Sequence, residues 1–160
     1  MLPTGTVSLS DLLTPSRVRV GLPGTDKEAL INGVVNLLRG APEVRDLDGL
    51  RADVFAREAV MSTGVGKGLA LPHARTRAVS DTVAAFAVTA EPVDYQALDG
   101  EPVRLVFLLC GPDEVRGTHI KLLSRISRLM NDDAFRARLR DAPDAAAVIA
   151  AFRDAEERIG

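Results

Sequence analysis

One run of residues concentrates the chemistry this chain can offer: Ser62-Thr63-Gly64-Val65-Gly66-Lys67-Gly68-Leu69-Ala70-Leu71-Pro72-His73, a glycine-rich stretch leading to one of two histidines. Backbone N–H groups of Thr63, Gly64, Val65, Gly66, Lys67 and Gly68 can converge on an anion, and an imidazole supplies a nucleophilic nitrogen. The pairing suits phosphoryl carriage. A neutral imidazole needs no separate base to attack phosphorus, and the phosphoimidazole stays reactive enough to pass the group on, where a serine ester would be more inert. Pro72 withholds a backbone donor and favours an extended chain, so His73 is expected where a strand ends and ligand-facing loops begin.

The glycine run has rivals. A Walker loop requires Gly, four residues, then Gly-Lys-Ser/Thr, but Met61 takes the first glycine's place and Gly68 follows Gly66-Lys67. A dinucleotide fingerprint requires glycine where Leu69 stands and follows a strand, whereas a helix is expected before this loop. A turn whose glycines merely permit positive φ stays open as the plain alternative.

His119 precedes Leu122, Leu123 and Ile126 at helical spacing, which places it on the inward face, in the first turn after Gly117-Thr118. The partial positive charge and free N–H groups of a helix N-terminus would let this imidazole orient His73 or donate to phosphate oxygens. A core histidine capping its own helix is the alternative. Arg57, at the end of a helix that leads into the glycine run, has the planar fork that matches a phosphoryl group. Lys67 is close enough in sequence to reach phosphate, and Arg75 and Arg77 would rim the site for an acidic partner. No metal is assigned: His73 and His119 match no zinc or calcium pattern, and Asp81, Asp94 and Asp99 have no ligand spacing. Cys110 ends an apolar strand with no adjacent base, which reads as core.

The elements that must position these groups follow an α/β pattern. Leu9 to Leu13 reads as a short amphipathic turn and Arg17 to Val20 as a strand closed by Gly21 to Gly24. Thr25 and Glu28 fit a capping box ahead of Leu30, Val34, Leu37 and Leu38, in a helix expected to stop at Gly40. Leu47, Leu50, Val54 and Phe55 mark a second helix carrying Arg57 and Glu58. Strands are expected at Leu69 to Pro72, Thr82 to Val88 and Val103 to Cys110. Helical spacing resumes from Ile120 to Met130, then at Phe135 and Leu139, then from Ala145 to Phe152, with Pro143 dividing the last two helices. One domain across residues 1–160 is expected, a central mixed sheet with helices on both faces.

Composition narrows the function classes. A net charge of -2 and the absence of a basic run interleaved with aromatics argue against nucleic acid. Met1 to Gly5 lack the order of a secretory leader, and the apolar runs Val83 to Val88 and Leu105 to Cys110 are far too short to span a bilayer. One cysteine permits no internal disulfide, so a soluble cytoplasmic protein is expected.

Arg57-Glu58, the run from Ser62 to His73 and the helix opening at His119-Ile120-Lys121-Leu122-Leu123 together resemble the type-2 enzyme IIA domain of the bacterial phosphoenolpyruvate-dependent sugar phosphotransferase system, in its fructose/mannitol and nitrogen-regulatory class. The similarity of order and spacing covers nearly the whole chain. It implies a phosphotransferase component without a cofactor, with His73 phosphorylated by the phosphocarrier protein HPr or its nitrogen-branch counterpart and with Arg57 and His119 lining the site. The next partner would be an enzyme IIB cysteine or a regulatory target protein. The absence of a IIB-like or membrane IIC-like segment, and the likeness of Gly64-Val65-Gly66-Lys67-Gly68 with Leu71-Pro72-His73 to the nitrogen-regulatory version, favour the regulatory role. Ala74 departs from the glycine that many relatives carry, which leaves partner identity open. A non-catalytic anion-binding module on the same scaffold is the third class.

Overall fold

The computed structural model describes residues 8–159, so Met1 to Gly5 lie outside them. Helix α1 (Leu9–Leu12) and a 3-10 turn over Pro15–Arg17 lead into β1 (Val18–Leu22), followed by α2 (Lys27–Asn36) and α3 (Leu47–Val60). Short strands β2 (Gly64–Gly66), β3 (Leu69–Ala70) and β4 (His73–Arg75) precede the long pair β5 (Val83–Val93) and β6 (Val103–Gly111). Helices α4 (Arg116–Met130), α5 (Asp133–Arg140) and α6 (Ala145–Ile159) complete the order.

The long pair shows why the sheet is covered twice. Side chains alternate along a strand, so Ala84, Phe86 and Val88 of β5 share one face with Leu105, Phe107 and Leu109 of β6. There they meet α1, α4, α5 and α6, with Phe152 edge-on to Phe86, Phe107 and Phe135 at centroid distances of 5.2–5.7 Å. Ala85 and Ala87 point the other way with Val106, Leu108 and Cys110, onto Leu30, Ile31, Val34 and Val35 of α2 and Leu50 and Val54 of α3. Helices therefore cover both faces of a single mixed sheet, ordered β1-β5-β6-β3-β2. The β1–β5 pair is parallel and the β5–β6 pair antiparallel; β3 and β4 run parallel to successive parts of β6.

Several local expectations are corrected. Asp26, not Thr25, caps α2, accepting the Ala29 N–H at 2.8 Å. That helix ends at Asn36, and three-residue hydrogen-bonded turns carry the chain on to Gly40. The strand expected over Leu69 to Pro72 is split: β3 ends at Ala70, Leu71 N–H donates to the Thr63 carbonyl at 2.8 Å, and β4 starts at His73. Pro72 contributes only its carbonyl, which accepts the Leu109 N–H at 3.1 Å. His73 thus opens a strand where it was expected to close one.

Candidate active site

His73 is fixed by that strand start. It pairs with Leu109 in the β4–β6 register, and its Nδ1 lies 2.7 Å from the Leu71 carbonyl. A carbonyl only accepts, so Nδ1 carries the proton and the lone pair of the neutral ring belongs to Nε2. Burial lowers the His73 pKa below its ordinary value and nearby Arg57 lowers it further, against the raising effects of the Leu71 bond and Glu58. The lowered pKa favours the neutral ring at pH 7.

His119 comes from the first turn of α4 and is buried. The two rings stand 6.1 Å apart between centroids, tilted by 49°. Desolvation, then the proximity of His73 and Arg75, brings the His119 pKa down to about 4. Its Nδ1 has no hydrogen-bond partner.

Arg57 stands in the last turn of α3, where its Nη1 donates to the Met61 carbonyl at 3.1 Å and helps close the helix. It lines, with both histidines, a cavity of about 740 Å³. Arg75, Arg77 and Arg116 add cations to the walls, against the carboxylates of Asp53 and Asp113. Asp53 accepts the Thr76 hydroxyl at 2.6 Å, and Asp113 lies 3.8 Å from Arg75 at the exposed rim. With the N-terminal end of α4 facing the same space, the balance suits a small dianion.

Sequence reasoning missed Asp53 and Arg116, although helical spacing holds the clue. Asp53 precedes Arg57 by four residues and Arg116 precedes His119 by three, so each shares a helix face with a residue already singled out.

The glycine run is where the expectation needs correction. Thr63, Gly64, Val65, Gly66, Lys67 and Gly68 are absent from the walls of the histidine cavity. They form a tight β2–β3 hairpin whose turn holds Gly66, Lys67 and Gly68 all at positive φ. Gly64 is required for packing: a Cβ there would stand 2.7 Å from Ala97 Cα. Lys67 Nζ donates to Asn131 at 3.0 Å, and Lys67 and Gly68 line a separate cavity with Arg104 and Arg140. The amides therefore build a turn that delivers β3 and then His73; they do not ring the imidazole.

Thr63 is held from below. Its N–H donates to both Glu58 carboxylate oxygens at 3.0 and 3.1 Å, and its hydroxyl donates to the same carboxylate. Tyr95 O–H then donates to Thr63 Oγ1 at 3.0 Å, and Lys27 Nζ reaches Glu58 at 2.9 Å while lying over the Tyr95 ring. Burial, above all, pushes the Tyr95 pKa well above the ordinary phenol value, so this hydroxyl keeps its proton. Glu58 thus ties the end of α3, next to Arg57, to the hairpin that precedes His73.

The remaining candidates are occupied elsewhere. Asp81, Asp94 and Asp99 accept the N–H groups of Thr82, Gln96 and Glu101, respectively, within their own turns. Among the described residues no group of three or more His, Cys, Asp or Glu is placed to hold a metal. Cys110 is buried on β6, its thiol pushed up to about 12 by desolvation. No described helix is long and apolar enough to cross a membrane.

Comparison with known proteins places this geometry in a family. The chain is 37% identical over 143 residues to a nitrogen regulatory protein of Pseudomonas aeruginosa, covering 89% of this chain and 92% of that protein. It is 33% identical, again over 89% of its length, to the PTS system fructose-specific EIIABC component of Bacillus subtilis, of which it spans only 22%. The crystal structure of the nitrogen regulatory protein IIA-Ntr from Neisseria meningitidis superposes with a TM-score of 0.84 at 30% identity, covering 90% of this chain and 98% of that one. Residues 11–155 match the family described as "Phosphoenolpyruvate-dependent sugar phosphotransferase system, EIIA 2", and the chain belongs to it.

Proposed function

We propose that His73 is the phosphoryl acceptor of a phosphorelay and that Nε2 forms the bond to phosphorus. The observation that carries this reading is the 2.7 Å contact from Nδ1 to the Leu71 carbonyl, which leaves Nε2 with the free lone pair on a residue lining the cationic cavity. In the transfer, the Nε2 lone pair forms the new N–P bond as the donor's N–P bond breaks. That electron pair returns to the donor imidazole, and the Nδ1 proton stays on His73, held by Leu71. Arg57 and a neutral His119 spread the charge of the migrating group.

The donor is an HPr-type phosphocarrier or its nitrogen-branch counterpart, and the phosphorylated state serves a regulatory target. The 37% identity to a nitrogen regulatory protein and the likeness to the Neisseria meningitidis structure support this choice. The relationship to the fructose-specific component supports handover to an enzyme IIB cysteine as the second reading.

The test is incubation with phosphoenolpyruvate, enzyme I and HPr, followed by intact-mass spectrometry and localisation of the label. One acid-labile phosphoryl group on His73, absent from His73→Ala, is expected. Saturable binding of inorganic phosphate without uptake of label would instead make the chain a non-catalytic anion-binding module.

A further inference from the structure

Two buried polar atoms beside the site have no hydrogen-bond partner: Thr82 Oγ1 and His119 Nδ1. Thr82 immediately precedes β5, and the Val83–Cys110 pairing brings it alongside Gly111 at the end of β6. A Cβ built on Gly111 would lie 3.4 Å from Thr82 Oγ1, 3.5 Å from His119 Nδ1 and 3.8 Å from Val115 Cγ2. Both atoms therefore border one small gap, which exists because residue 111 has no side chain.

Leaving either atom unsatisfied in a buried setting is costly, and the two together meet the minimum requirement of an enclosed water, which takes two to four polar partners. The chemistry also orders the protons. A neutral imidazole can offer an anion a donor at Nε2 only if Nδ1 is the acceptor. His73 and Arg75, the two groups whose charge bears on His119, are committed elsewhere: His73 gives its Nδ1 proton to Leu71, and Arg75 pairs with Asp113. The Thr82 hydroxyl and a water each donate and accept, so once an anion draws the ring proton to Nε2 the two can turn to present a donor to Nδ1.

We propose that Thr82 is a positioning residue for His119: a single water seated over Gly111 links the Thr82 hydroxyl to His119 Nδ1, so that Nδ1 keeps a donor while Nε2 gives its proton to an oxygen of the phosphoryl group. The purpose of this device rests on His73 being the acceptor; the hydrogen-bond chain itself does not.

The experiment uses the full chain labelled with 15N-histidine and long-range 1H–15N correlation spectra at pH 7 in saturating inorganic phosphate, together with phosphoryl uptake from phospho-HPr. The parent should show an unprotonated Nδ1 and a protonated Nε2 at His119. Thr82→Val should shift this tautomer balance and slow uptake about tenfold, a size typical of lost positioning, without altering the His73 tautomer. Thr82→Ser should restore both readouts. Gly111→Ala, whose methyl would sit at ordinary contact distance in a backbone conformation open to any residue, should displace the water and reproduce the Thr82→Val spectrum.

An unchanged His119 tautomer in Thr82→Val overturns the proposal. A shifted tautomer in Thr82→Val with an unshifted one in Gly111→Ala overturns the water bridge. Failure of the parent to take up label overturns the role assigned to His73, yet leaves the spectra to decide the link between Thr82 and His119.

Discussion

The rings of His73 and His119 stand 6.1 Å apart, one tied to the backbone through Nδ1 and the other without a protein partner at Nδ1. Both are held neutral at pH 7 chiefly by burial, and a proton on His73 makes protonation of His119 harder still. The pair can work as nucleophile and hydrogen-bond donor without competing for a proton.

Both histidines are predicted to titrate below the usual 6.5, with His119 near 4, in spectra followed from pH 8 to pH 3.5. The unfolded ring takes up its proton near pH 6.5 and the folded ring only near 4, so stability due to the neutral ring is full above 6.5 and falls as pH drops through that window. Denaturant midpoints of His119→Gln should depend less on pH between 6.5 and 4 than those of the parent.

Arg57→Ala is predicted to slow phosphoryl uptake by about 100-fold, the loss expected for a donor aimed at developing charge. The bond to Met61 is partly solvated, so the stability cost should stay near 1 kcal/mol. Removing the guanidinium should also raise the His73 pKa, because Arg57 helps to lower it. Uptake rates, denaturant midpoints and an NMR titration check the three effects separately.

The Glu58 network predicts an ordering of variants. Lys27→Met removes the countercharge of a buried carboxylate and should cost about 3–5 kcal/mol, whereas Thr63→Val leaves that ion pair in place, removes the hydroxyl's bonds to Glu58 and Tyr95, and should cost about 1.5–3 kcal/mol. Equilibrium unfolding in urea checks the order.

Gly64→Ala should destabilise by roughly 1–3 kcal/mol, because the new methyl meets the backbone of Ala97 at 2.7 Å. A thermal scan should show a lower midpoint for it than for Gly117→Ala, where nothing lies within 4 Å.

Much of this architecture was legible in the pattern of residues. The long strands, the helix carrying Arg57 and the inward His119 follow from period and caps, since burial of one face imposes them. The division between β3 and β4 was not, because an apolar run ending in Pro-His looks like one strand until β6 is seen to pair with both parts. The glycine run misled for a similar reason. Three of its N–H groups are already engaged, that of Thr63 by Glu58, that of Gly64 by the Ser62 hydroxyl and that of Lys67 by Asp99, so these are not free for an anion beside His73. Asp53 and Arg116 were missed for want of one step, extending each helical face by a turn.

Strand β6 underlies both imidazoles: His73 is registered on Leu109, and the same strand runs out at Gly111, five residues before α4 brings in His119. The separation of the rings is thus set by one rigid rail and a short link. Inserting or deleting a single residue between 109 and 116 would throw the second ring out of alignment while sparing the far end of the sheet, so length variation is tolerable only away from this joint.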